Sequence, residues 1–262
     1  MNRDTSGVTA QRNVWLRDPG PSEGNVRTRL FCFPFAGGGA GAFRSWAAHL
    51  ADVAEVLPVL LPGRDERHRE PLATDLDDLA GRMADDLADW CRPPYALYGH
   101  SMGAQLAYRF VHALADRGAP LPGLLVVAAH RAPHQPPMLP LSYSLPRDGL
   151  VERLREFGAT PAPVLDNEGI LDFFLPIIRA DFALSELSPE YGYDRPLPVP
   201  VLALGGVDDP LVTEDQVRAW SLHTTSRFQA QMFPGSHFFQ AENEQLVMDL
   251  LRSELRRLGT QS

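Results

Sequence analysis

The chain has no lysine: all 24 of its basic side chains among 262 residues are arginine. That absence excludes a phosphate-gripping Walker lysine, a Schiff-base lysine and a Ser-Lys catalytic pair, each of which needs an ε-amine. Cysteine is nearly absent too. Cys32 and Cys91 lie far apart with no CxxC pair, so a disulfide framework is not expected and a reducing cytoplasm suits the chain. No run of about 18 apolar residues occurs, which argues against a transmembrane helix. The polar start, MNRDTSGVTAQRN, lacks the apolar core of a signal peptide. Basic charge is in deficit, 24 against 33 acids for a net −9, which disfavours non-specific binding to nucleic acid or an anionic membrane.

What is present is ordinary globular material, 44% hydrophobic and 22% charged. Residues 1–25 read as a flexible polar segment containing one short edge strand around Val14-Trp15-Leu16. Residues 26–262 read as a single α/β domain. Apolar runs at Leu30–Phe33, Val56–Leu61, Tyr95–Tyr98, Leu124–Ala129, Val199–Leu204 and Phe228–Phe233 are the expected strands. Amphipathic stretches at Ala42–Leu50, Asp75–Trp90, Ala104–Leu114, Glu214–Leu222 and Glu242–Leu258 are the expected helices. Continuous apolar strands alternating with helices imply a mostly parallel, doubly wound sheet covered on both faces. The alternation breaks over about 140–192, a Pro-rich and helical insertion. Within it Ile170–Leu187 is apolar on more than one face, which fits either a buried core helix or a lid walling a cavity.

The strongest chemical signal is Gly99-His100-Ser101-Met102-Gly103, between an expected strand and an expected helix. A serine at such a turn adopts a strained backbone that projects its hydroxyl, and the flanking glycines avoid collisions with strand and helix. A nucleophilic serine needs a histidine base and an orienting carboxylate. His237, in Pro234-Gly-Ser-His-Phe-Phe239 after the last strand, is the candidate base, and His100 belongs to the elbow itself. His130 and His134 are four apart, but Pro133 between them spoils a helical metal pair. The loop Gly205-Gly-Val-Asp-Asp-Pro210 offers two adjacent acids. Asp209, directly before Pro-Leu-Val, is favoured for the triad, and Asp208 stays open. For the oxyanion, backbone N–H groups of Met102 and Ala36 are the candidates, with Gly37 next. A dinucleotide loop is the rival reading of Gly37-x-Gly39-x-x-Ala42, although no acid ends the following strand.

Phe33-Pro-Phe-Ala-Gly-Gly-Gly39, Leu61-Pro-Gly-Arg-Asp-Glu-Arg67, Gly99-His-Ser-Met-Gly-Ala104, Gly205-Gly-Val-Asp-Asp-Pro210, Trp220 and Pro234-Gly-Ser-His-Phe-Phe239 occur in one order. That order resembles the type II thioesterases, the free-standing editing enzymes of polyketide and non-ribosomal peptide synthesis. The likeness covers essentially residues 28–258, and Phe35 departs from it where relatives often carry His. It implies an α/β-hydrolase fold with a helical lid and a Ser101-Asp209-His237 triad. It also implies release of acyl groups from phosphopantetheinyl carrier proteins without cofactor or metal. A monomer that meets its carrier transiently is expected. Carboxylesterase activity on oxygen esters is the alternative, and a non-catalytic binding module a weaker one. Carrier proteins are generally acidic, so docking should rest on apolar lid contacts more than on charge. Arg64, Arg67 and Arg69 form the one dense basic group near a strand end, unless internal ion pairs consume them.

Overall fold

Six apolar segments pair into one parallel sheet in the computed structural model, which describes residues 13–17, 28–137, 140–158, 165–188 and 195–260. The strands are β1 (Arg29–Phe33), β2 (Glu55–Pro58), β3 (Tyr95–His100), β4 (Leu124–Ala128), β5 (Val201–Gly206) and β6 (Phe228–Phe233). Their order is β2-β1-β3-β4-β5-β6, and each neighbouring pair is parallel. The chain winds outward from β1 to β2, then returns to β3 and continues the other way. β1 and β3 therefore flank a switch point, where the C-terminal strand ends leave a crevice.

Both faces are covered, as expected of an α/β-hydrolase. On one face lie α1 (Trp46–Leu50) and α8 (Glu244–Thr260), which bury Trp46, Leu50, Val247 and Leu251 against Leu30, Val126 and Leu202. On the other lie α2 (Leu76–Leu87), α3 (Met102–Asp116) and the short α6 (Glu214–Arg218), with Leu79, Phe110 and Val217 against Phe31, Leu97 and Ala203. Asp75 caps α2 by accepting the Asp77 and Asp78 N–H groups, both at 2.8 Å. A short α7 (Phe239–Glu242) precedes α8, so the expected helix over 242–258 starts earlier and in two pieces.

A proline accounts for one shifted strand end. Pro200 has no N–H to give the ladder, so β5 starts at Val201, whereas at Pro58 the carbonyl faces outward and accepts the Arg17 N–H at 3.0 Å. Beyond Pro58 the edge is taken by residues 13–17. Leu16 bridges Val59 antiparallel, and the Leu60 N–H donates to the Trp15 carbonyl at 2.7 Å. Trp15 is buried, donates Nε1 to Asp86 at 2.7 Å and carries the Arg67 guanidinium 4.1 Å above its ring. Within the 1–25 segment read as flexible, these five residues are docked where the short edge strand is expected, because an indole buried on the sheet edge outweighs the polar residues around it. The rest of that segment lies outside the described residues.

Between β4 and β5 the insertion supplies α4 (Arg147–Phe157) and α5 (Glu168–Glu186). They share a small core of their own, in which Leu150, Leu154, Leu171, Leu175 and Ile178 meet. Gly158, at φ +67°, ends α4, and the Asn167 side chain caps α5 by accepting the Ile170 N–H at 3.0 Å. Phe173 stays 62% exposed, so α5 is no fully buried core helix: one face looks inward and another meets solvent.

Candidate active site

Ser101 sits at the N-terminus of α3 with φ 55° and ψ −122°, a backbone region that L side chains seldom occupy. Its N–H donates to the Ala128 carbonyl at 2.8 Å, which ties the turn to β4. The two flanking glycines are sterically required. A Cβ on Gly99 would lie 2.5 Å from the Ala104 nitrogen, and one on Gly103 would lie 2.6 Å from the Pro34 oxygen. Only without those side chains can α3 fold back across β1 and β3 and leave the hydroxyl at the crevice.

The loops after β5 and β6 continue to pair beyond the strands. Val207 donates to the Phe233 carbonyl at 2.8 Å and Asp208 to the Gly235 carbonyl at 2.9 Å. That pairing brings the second loop against the first and turns adjacent side chains opposite ways. Asp208 is exposed to solvent, whereas the Asp209 carboxylate is buried against His237. Asp209 Oδ2 lies 2.8 Å from His237 Nδ1, and Asp209 Oδ1 accepts the Leu211 N–H at 2.8 Å. A carboxylate can only accept, so the proton sits on Nδ1 and leaves Nε2 a lone pair. Nε2 is 3.0 Å from Ser101 Oγ. Ser101, His237 and Asp209 thus form one hydrogen-bonded chain at the strand ends, and Asp208 is outside it.

Ala36 and Met102 border a pocket with Ser101 and His237. Met102 is the first residue of α3, so its N–H has no acceptor within the helix. The Gly37 N–H is already engaged: it donates to Asp181 Oδ2 at 2.7 Å. The Ala40 N–H donates to Asp65 Oδ2 at 2.9 Å. Carboxylates therefore occupy the N–H groups that a dinucleotide pyrophosphate would need, and the rival reading of this glycine loop fails on charge. Asp181 was not among the candidate site residues. Its signal is an acid three residues after Ile178 and three before Leu184, on the buried stripe of an apolar helix.

A cavity of about 220 Å³ opens from Ser101 and His237. Leu154 and Phe157 of α4, Leu171, Phe174, Ile178 and Phe182 of α5, and the loop residues Phe35 and Phe238 wall it. Phe35 packs edge-on to Phe238 with centroids 4.9 Å apart and makes this wall apolar. A smaller pocket of about 90 Å³ meets the same serine and adds the polar side chains of His130, Arg131, Ser142 and Glu186 to an apolar lining. His100 stacks on Phe238 at 5.3 Å, and burial holds its pKa well below the usual imidazole range. Burial, with the Arg131 charge beside it, pushes His130 down to about 3, so it is a neutral ring.

The basic group near the end of β2 is not a surface patch. Arg64 is buried in an ion pair with Asp181, and Arg67 is buried with Glu70 and the Leu60 carbonyl; Arg69 alone of the three is exposed. Among the described residues no three His, Cys, Asp or Glu side chains are grouped to hold a metal, and no helix is long and apolar enough to cross a membrane.

The family model for the Thioesterase domain matches residues 28–254. The gramicidin S biosynthesis protein GrsT of Aneurinibacillus migulanus is 32% identical over 247 residues, 94% of this chain and 96% of that protein. Two solved structures are similar. The type II thioesterase BorB from the borrelidin biosynthetic cluster superposes with a TM-score of 0.84 at 34% identity, covering 94% of this chain and 99% of BorB. RedJ, a thioesterase of the prodiginine pathway in Streptomyces coelicolor, gives 0.82 at 37% identity over 90% of this chain and 87% of its own.

Proposed function

Because the chain belongs to the thioesterase family, we propose that it releases acyl groups from phosphopantetheinyl carrier proteins, as an editing enzyme of polyketide or non-ribosomal peptide synthesis. The observation that carries this reading is the hydrogen-bonded chain Ser101–His237–Asp209 opening onto an apolar cavity. His237 Nε2 takes the Ser101 proton as Oγ attacks the acyl carbon, and Asp209 holds the imidazolium that forms. The tetrahedral oxyanion sits between the Ala36 and Met102 N–H groups, where preorganised dipoles stabilise it more than water does. The leaving group is a thiolate whose conjugate acid has a pKa of about 8.5, so its departure demands little protonation. Water, deprotonated by His237, then clears the acyl-enzyme.

The acyl chain lies among Leu154, Leu171, Phe174 and Ile178, and α4 and α5 act as the lid over it. The carrier docks at the exposed side of that lid, where Phe173 and Ile170 present apolar surface. The test is a paired assay of one acyl group as its carrier-protein thioester and as a matched oxygen ester. A kcat/KM that clearly favours the thioester is expected. Equal or better hydrolysis of the oxygen ester would make the chain a carboxylesterase on the same fold.

A further inference from the structure

The loop after β1 is held by two carboxylates, and one of them comes from the lid. Asp181 on α5 accepts the Gly37 N–H at 2.7 Å. Arg64, in the loop after β2, donates Nη1 to Asp181 Oδ2 at 2.5 Å and Nη2 to Oδ1 at 2.6 Å. Arg64 Nη1 also reaches the Gly38 carbonyl at 3.1 Å. The pair is sealed, with the Asp181 side chain 1% exposed and that of Arg64 8%. The lid touches the loop a second time through Ile178. It packs so closely that a Cβ on Gly37 would lie 2.6 Å from Ile178 Cγ1.

These contacts bear on the direction of one N–H group. The Gly38 N–H donates to the Phe35 carbonyl at 2.8 Å, and Gly37 has φ +76°, so residues 35–38 form a turn of type II character. In a planar trans peptide the N–H points opposite to the C=O. With the Phe35 carbonyl turned in to Gly38, the Ala36 N–H of the same peptide points out of the turn. A flip of the central Ala36–Gly37 peptide would leave the Ala36 N–H in place, so Asp181 acts by anchoring the turn as a whole, through the Gly37 N–H. Arg64 holds the Gly38 carbonyl at the end of the turn. A carboxylate this near a developing oxyanion would oppose it, and the bidentate Arg64 cancels that charge.

We propose that Asp181 and Arg64 are positioning residues: the lid helix locks the Phe35–Gly38 turn so that the Ala36 N–H faces the acyl oxygen, and the oxyanion hole is complete only with α5 in place. This rests on the reading of Ala36 and Met102 as the oxyanion donors. A buried ion pair is a weak source of stability in itself, since desolvation offsets most of the attraction. Joining three segments beside the nucleophile gives it a purpose that stability alone does not.

The experiment compares wild type with Asp181→Ala, Asp181→Asn and Arg64→Lys. It measures kcat and KM on a butyryl-N-acetylcysteamine thioester and the inhibition constant of butylboronic acid, whose serine adduct places an anionic oxygen in the hole. Asp181→Ala is expected to lower kcat about 100-fold and weaken boronate binding by a similar factor, with KM within about twofold, as for loss of one oxyanion donor. Asp181→Asn keeps an acceptor for Gly37 and should fall between. Arg64→Lys keeps the charge but loses the fork, and should lower kcat about tenfold. Should Asp181→Ala fail to fold, as judged by its thermal melt, the two milder variants decide. Folded variants with wild-type kcat and boronate affinity overturn the proposal, as does a rise in KM with boronate affinity unchanged, which would mean a substrate-binding role. A wild type active on the butyrate oxygen ester but not on the thioester overturns the substrate reading instead, and the boronate ranking still decides the positioning role.

Discussion

Asp209 Oδ2 lies 2.8 Å from His237 Nδ1, and the two side chains are 0% and 5% exposed. At that depth the pair fixes which nitrogen of the ring carries the proton. Asp209→Asn would present an amide that can donate and so permit the wrong tautomer. It is expected to lower kcat by about 10³–10⁴-fold. Asp208→Asn, at an exposed carboxylate, should leave kcat within about twofold, because changes at solvent-exposed sites away from such contacts have small effects. Steady-state kinetics on one thioester substrate measures both, and the reverse ranking would transfer the role to Asp208.

The elbow stores strain that a stability measurement can read. Ser101, at φ 55°, holds a conformation that costs a side chain about 1–3 kcal/mol. Ser101→Ala should abolish turnover with the fold and melting temperature nearly unchanged, since alanine keeps the strained Cβ. Ser101→Gly should abolish turnover and melt higher, by about 2–4 °C for each kcal/mol released net of glycine's entropy. Calorimetry on the three proteins checks the order. A glycine variant that melts below the alanine variant would show the turn to be unstrained.

The elbow was legible in the sequence because its sterics are local: Gly99 and Gly103 answer to atoms within a few residues or in the neighbouring strand. The strands were legible as apolar runs, with the start of β5 misplaced where Pro200 withholds an N–H. Asp209 is favoured in the sequence by its place directly before Pro-Leu-Val, but the reason it faces His237 while Asp208 faces solvent, the pairing of Val207 and Asp208 with Phe233 and Gly235, is in no local pattern. The roles of Arg64 and Asp181 stayed hidden for a plainer reason. They are 117 residues apart, and each alone reads as an ordinary charge. Val14-Trp15-Leu16 reads as an edge strand in the sequence, but the anchoring of Trp15 does not, because its partners, Asp86 and Arg67, come from two later segments.

Acid should unfold the protein through its buried neutral histidines. The native pKa of His130 is down at about 3, against about 6.5 for a free imidazole. Between those values the unfolded chain binds a proton that the native chain does not. Stability therefore falls as pH drops through that window, by up to about 1.4 kcal/mol per pH unit for each such histidine. His100 is displaced in the same direction and adds to the slope. Denaturant unfolding at pH 7.5, 6 and 5 measures it, and His130→Gln should remove about one proton's share of the slope. An unchanged slope in that variant would mean His130 takes up its proton in the native state.

Salt dependence separates two modes of carrier docking. The protein carries a net −9, and an acidic carrier should be repelled at long range, so screening should speed encounter or leave it unchanged. Attraction would require a basic patch. The densest basic group near the site is largely spent: Arg64 and Arg67 are buried against Asp181 and Glu70. The lid exposes charges of both signs, Arg147 and Asp172 among them, and with them an apolar spot at Phe173 and Ile170, where Phe173 lies beside Phe174, which walls the cavity. On a carrier-bound thioester, kcat/KM is expected to stay flat or rise as salt increases from low to physiological and above. Phe173→Ser should lower kcat/KM severalfold on that substrate and leave the N-acetylcysteamine thioester nearly unaffected, because the small substrate has no carrier to dock. A steep fall of kcat/KM with salt would instead mean that opposite charges hold the complex, and the arginines outside the Asp181 and Glu70 pairs would become the surface to mutate.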